Sequence, residues 1–138
     1  MPHVKNIMII RGHSDGTLTL APRGRATAHR KDHINWSILK CSNVQSIEDI
    51  VMKSGTDIFR TAPHANGNVW SAEVNYNAPN YAEYEYDICW KGKDGISRSC
   101  DPKIAIMPST SHNLLKTIVF IIASCLGLLA VRSIKKKN

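Results

Sequence analysis

The chain has no Cys-x-x-Cys pair, no Gly-rich phosphate loop, no Gly-x-Ser-x-Gly elbow and no arginine-rich helix. Those absences remove the common zinc and redox signatures, a nucleotide cradle, the serine-hydrolase turn and a nucleic-acid recognition element. Cysteine is sparse, with Cys41, Cys89, Cys100 and Cys125 the four present. Cys125 falls within an apolar run, so the remainder of the chain holds an odd three, which argues against a disulfide framework. One Cys89–Cys100 bridge across a hairpin is the single pairing to consider, with buried free thiols as the alternative. The N-terminal MPHVKNIMIIRG lacks the long apolar core and small-residue cleavage site of a secretory signal. Helical periodicity is almost absent before residue 114.

Metal ligands are equally poorly arranged. Cys100 and Met107 bracket DPKIAI with no histidine between them, so a blue-copper ligand set fails on ligand type. His29-x-x-x-His33 has a spacing that would hold zinc on a helix, but it adjoins a strand and reads as two surface histidines around Asp32. No cofactor and no metal is expected.

What is present begins at the C-terminal end. Residues 117–131, TIVFIIASCLGLLAV, contain no charge, and Leu114 and Leu115 extend the run past Lys116. A spanning helix needs about 20 apolar residues, roughly 17 at the low end. The segment reaches that length when Lys116 and Arg132 snorkel to the two interfaces. Lys135, Lys136 and Lys137 close it. The expectation is a transmembrane helix over 114–131, a basic tail over 132–138, and a short polar linker over 109–113. Without a signal, a tail anchor leaves the preceding domain in the cytosol. The basic tail pulls the other way, because positive charge prefers the cytoplasmic side. The cytosol is the simpler placement, and the side stays open.

The formal charge of +7 suggests a nucleic-acid partner until it is located. Residues 1–113 carry 13 Lys/Arg against 11 Asp/Glu, and the excess sits beside the apolar run, where it faces lipid headgroups. The partners implied are the lipid bilayer and a protein partner or a second copy, with no nucleic acid.

Residues 1–108 are enough for one domain. They alternate with period two between turn residues, which predicts strands. A first strand covers 4–10 and a second 17–20 after Asp15-Gly16. Ile34, Trp36 and Ile38 share a face, as do Trp70, Ala72, Val74 and Tyr76. In the clearest strand Tyr84, Tyr86, Ile88 and Trp90 point one way while Glu85 and Asp87 point the other. A last strand over 96–107 is interrupted by Pro102, which fits an edge position or a bulge. Residues 47–52 offer a helical turn, with Ile47, Ile50 and Val51 lining one face. Seven or so short strands predict an all-β sandwich of immunoglobulin/cupredoxin-like type, followed by one C-terminal transmembrane helix.

One segment suggests unusual chemistry. Asp101-Pro102 is the weakest ordinary peptide link. The aspartate carboxyl can attack its own carbonyl carbon and close a five-membered anhydride, while the departing proline nitrogen takes up a proton. Water opening the anhydride gives cleavage, and a lysine amine opening it gives an isopeptide crosslink. The pattern Tyr84-x-Tyr86-x-Ile88-x-Trp90, a Lys/Gly/Asp hairpin and then Asp101-Pro102-Lys103-Ile104 resembles a small bacterial β-sandwich family, formerly a domain of unknown function, whose members are described as Asp-Pro self-cleaving, self-assembling endopeptidases. The resemblance implies cleavage after Asp101, with Pro102 onward held as a separate strand. Lys91 and Lys93 are the nearest crosslinking amines in the sequence. Glu85, Asp87 and Asp94 are the nearest assisting acids, with Asp94 reading as turn chemistry. The sequence therefore points to a single-pass membrane-tethered interaction or structural domain, with self-processing at Asp101–Pro102 as the alternative.

Overall fold

A computed structural model describes residues 1–53 and 58–109, which form ten strands and no helix. In chain order they are β1 (Val4–Gly12), β2 (Leu18–Ala21), β3 (Ala26–Ala28), β4 (His33–Ile38), β5 (Val44–Met52), β6 (Phe59–Asn66), β7 (Val69–Val74), β8 (Glu83–Gly92), β9 (Ser97–Cys100) and β10 (Lys103–Ile106). A first sheet runs β2-β1-β4-β7-β6, and a second runs β3-β10-β8-β5 with β9 also paired to β8. Most pairings are antiparallel, but β1 lies parallel to β4 and β3 parallel to β10.

Alternation along the strands explains the two-layered, sandwich-like arrangement. Ile7, Ile9, Ile34, Trp36 and Val74 of the first sheet meet Ile50, Tyr86, Ile88, Trp90 and Ile104 of the second in one buried cluster. Trp36 packs edge-on against Tyr86, with ring centroids 5.8 Å apart, and against Phe59 at 6.3 Å. Its Nε1–H donates to the Tyr86 hydroxyl at 3.2 Å, so the indole enters the core with its polar handle satisfied.

Several expectations are corrected here. Residues 47–52 belong to strand β5, not to a helical turn. A register shift between Ile47 and Asp49 inserts one extra residue, so Ile47 and Ile50 both face the core although they are three apart. A bulge of this kind copies the helical spacing, and Val51 is left 45% exposed. Tyr76 was expected to face inward, but β7 ends at Val74 and Tyr76 is 59% exposed. The strand count rises from about seven to ten through the three-residue β3, β5 in place of the helical turn, the polar β6 holding Pro63, and the division of the last strand at Pro102 into β9 and β10.

The Pro102 interruption has a simple cause. Ile88 faces Cys100 before the break and Glu85 faces Lys103 after it, so the pairing keeps one register and Asp101-Pro102 fall opposite Asp87 and Tyr86. Tyr86 N–H donates to the Pro102 carbonyl at 3.2 Å, and proline has no N–H to return. The same register separates the two cysteines. Cys89 faces Ser99 while Cys100 faces Ile88, which puts them on opposite faces of the sheet, and both are free thiols.

The domain forms one compact unit, Met1–Pro108. The expected transmembrane helix over 114–131, the tail over 132–138 and all but the first residue of the linker lie outside the described residues.

Candidate functional site

Two outer sheet faces, built by the same alternation, have opposite chemistry. On the second sheet, the inward positions Tyr84, Tyr86, Ile88 and Trp90 of β8 force Glu83, Glu85 and Asp87 outward. Cations on neighbouring segments meet them. Arg25 contacts Glu83 at 2.7 Å, Lys103 contacts Glu85 at 3.1 Å, and Lys53 contacts Asp87 at 3.0 Å and Asp101 at 3.7 Å. These pairs lie at the surface, where solvent screening leaves them little net stabilisation.

Asp101 sits in this ladder, its side chain 71% exposed. Lys53 is the amine beside it, and Asp87 lies across the strand pair sharing that lysine. Neither Lys91 nor Lys93 is brought to Asp101. Lys91 faces Ser97, four positions along β8 from Asp87, or about 13 Å at strand spacing. Lys93 donates from Nζ to the Lys40 carbonyl at 2.9 Å in the far loops. Asp94 is also remote, gripped by Arg98 through two contacts at 3.0 and 2.7 Å and capped by the Ile96 N–H at 3.1 Å. The Arg98 hydrogen bonds, followed by that of Ile96, hold the Asp94 carboxyl down at about 2.

The electrostatics around Asp101 favour an ion pair. The hydrogen bond that Lys53 donates to the Asp87 carboxylate raises the Lys53 pKa above its ordinary value, with Asp101 adding to the effect. At neutral pH the amine is thus an ammonium, which neither attacks an anhydride nor readily gives up a proton to a leaving nitrogen. Cys100, the residue before Asp101, is half-buried. Burial pushes its thiol up, the Leu18 N–H pulls the other way, and the result is a thiol above its usual range rather than a nucleophile.

The first sheet's outer face is different. His33 opposite Glu73 and Asn35 opposite Ser71 form its centre, and His64 opposes Ser71 from β6. Ser71 Oγ donates to Asn35 Oδ1 at 2.9 Å. His64 Nδ1–H donates to the Ala62 carbonyl at 2.9 Å. The side chains are short, and an open trough of about 400 Å³ runs over them. Among the described residues lining it, Glu73 is the one Asp, Glu, Lys or Arg, and Arg60 already meets it at 3.4 Å. Val4 and Met8 flank the same face at 57% and 38% exposure.

Of the two histidines read from spacing, His29 proves to be part of a clamp, while His33 lines the trough. Asp32 is 1% exposed. Its carboxylate accepts from the His3 N–H at 3.0 Å, the His29 N–H at 2.9 Å and the His29 ring at 3.3 Å. It ties the segment before β1 to the β3–β4 turn. No group of three or more His, Cys, Asp or Glu among the described residues is arranged to hold a metal ion.

Lys53 and the trough were not found from sequence. Lys53 reaches Asp101 across β8, a three-strand juxtaposition with no local signal. The trough had one faint trace, the polar alternation of Asn35, Ser37, Ser71 and Glu73 in otherwise core-forming strands. No family model matches the chain, and no curated protein matches it by sequence.

Proposed function

We propose that the chain is a single-pass membrane-tethered β-sandwich of immunoglobulin/cupredoxin-like type whose first sheet binds a protein partner or a second copy of the chain. One observation carries this reading, the contrast between the two outer faces. The second sheet is covered with exposed ion pairs, as a solvated face is, whereas the trough on the first sheet holds one carboxylate among short polar and apolar side chains. Depletion of charge at the centre of a patch marks protein interfaces. The strands β4 and β7 beneath it each have a paired neighbour on both sides, which stiffens the face. The tether rests on the uncharged run 117–131 and its basic border. A lysine introduced at Ser71 places an unpaired charge at the centre of the patch and is expected to abolish the association, while a lysine at Glu48 on the second sheet leaves it intact. Crosslinking of the full-length protein in its membrane reads both outcomes.

Self-processing at Asp101–Pro102 is the second reading. It is favoured by the resemblance carried on Asp101-Pro102 and by the pairing of β10 with both β8 and β3, which would hold the released strand. The ammonium of Lys53 and the exposure of Asp101 weigh against a promoted reaction. Intact-mass spectrometry of the full-length protein beside Asp101→Ala distinguishes the two. The tethered-domain reading expects one unmodified mass in both samples. Fragments split at Asp101–Pro102 in the wild type alone would establish self-cleavage.

A further inference from the structure

One end of the domain has a composition that neither outer face shares. It gathers the β3–β4 turn (residues 29–32), the β7–β8 loop (residues 75–82) and the chain leaving β10. Backbone bonds fasten these together. Lys31 N–H donates to the Val74 carbonyl at 3.1 Å, Tyr81 N–H to the Ile106 carbonyl at 2.6 Å, and Met107 N–H to the Ala28 carbonyl at 2.8 Å. Arg30 Nε adds a bond to the Ala78 carbonyl at 2.7 Å, which stiffens the platform.

On that platform Tyr76 and Tyr81 are 59% and 74% exposed, and Arg30 and Lys31 are exposed beside them. The one acid in the two loops, Asp32, is 1% exposed and occupied by His3 and His29. Large exposed aromatics are costly to leave in water, and tyrosine has an apolar ring with a polar tip suited to a lipid interface. Cations beside them, with no exposed carboxylate among the residues of these two loops, complement anionic headgroups.

The position of this end supplies the occupant. The domain's chain leaves it at Pro108, and five residues, 109–113, separate that point from Leu114 at the start of the apolar segment. Five extended residues span at most about 18 Å. We propose that this end of the domain docks on the anionic headgroup surface of the bilayer holding the apolar segment, with Tyr76 and Tyr81 at the interface and Arg30 and Lys31 on lipid phosphates. The proposal rests on the tethered reading and adds an orientation to it.

The test uses the full-length protein in vesicles containing phosphatidylserine, with a lipid quencher attached near the headgroup. Tyr81→Trp places a reporter at the docking end. Ile96→Trp places one in the β8–β9 hairpin, where Ile96 is 55% exposed and β8, ten residues long, carries it about 30 Å away. The indole at position 81 is expected to lose at least half its emission beyond the parent protein's own quenching, and the one at position 96 to lose none. Adding Lys31→Glu to the Tyr81→Trp protein is expected to remove at least half of that quenching. An unquenched indole at position 81, in protein that resists alkaline carbonate extraction, overturns the docking and leaves the tether standing. Protein released by carbonate overturns both.

Discussion

Tyr86 brings a hydroxyl into the centre of the core at 1% exposure, where it accepts from the Trp36 indole N–H at 3.2 Å. Tyr86→Phe leaves that buried donor without an acceptor and is expected to cost about 1–3 kcal/mol in denaturant unfolding. Changing Trp36 to Phe as well removes the stranded donor, so the double variant should lose less than the sum of the two single losses. Burial also pushes the Tyr86 phenol up to about 12 from 10.0. An unfolded chain gives up this proton near the ordinary value while the folded one keeps it. Stability is therefore whole below pH 10.0 and falls as pH rises toward about 12, with phenolate absorbance from Tyr86 appearing only as the domain opens. Asp94 has the opposite sign. Its carboxyl is held at about 2 against 3.8, so its contribution is present above 3.8 and is lost as pH falls through about 2. Asp94→Asn should flatten the acid limb of the thermal-stability profile in that window and lower neutral stability by the same modest amount, since the Asp94 side chain is half exposed.

Among the strands, legibility followed the regularity of the pleat. β8 was readable because four large inward residues alternate with three acids over an unbroken stretch. β5 was not, because its bulge puts Ile47 and Ile50 on one face and imitates a helical turn. β6 carries FRTAPHAN, whose burial follows no alternation because its pairing with β7 slips twice. The break at Pro102 was legible as an interruption, but its harmlessness was not, since that depends on an unshifted register across β8. The site residues divide in the same way. Asp101 and its exposed carboxyl could be named from a dipeptide, whereas Lys53 could not, since strand order alone sets it beside Asp101. Asp32 looked like a surface residue between two histidines, and its three accepted bonds depend on the segment before β1 returning to the β3–β4 turn. Asp32→Ala strips those donors of their acceptor and is expected to destabilise the domain by about 3 kcal/mol. Amide exchange at His3 and His29 should accelerate well beyond that of the core strands.

Taken whole, the domain sorts its charges by surface. The second sheet carries acids and bases in contact, the β3–β4 turn and β7–β8 loop carry Arg30 and Lys31 with no exposed acid among their residues, and the trough of the first sheet carries one paired carboxylate. The net charge of +7 is thus a poor guide to function, because much of it lies beside the apolar run. One face laced by ion pairs and one trough holding a single carboxylate give the domain a sidedness that the proposed tether would use and a freely tumbling solvated domain does not need. The measurement that tests this most directly is photo-crosslinking in the native membrane, with the reactive side chain placed at Ser71 in one full-length protein and at Glu48 in another. A discrete adduct from position 71 and none from position 48 is the predicted result. Equal adducts from both positions, or none from position 71 while the protein resists alkaline extraction, would contradict the assignment of the first sheet as the binding face.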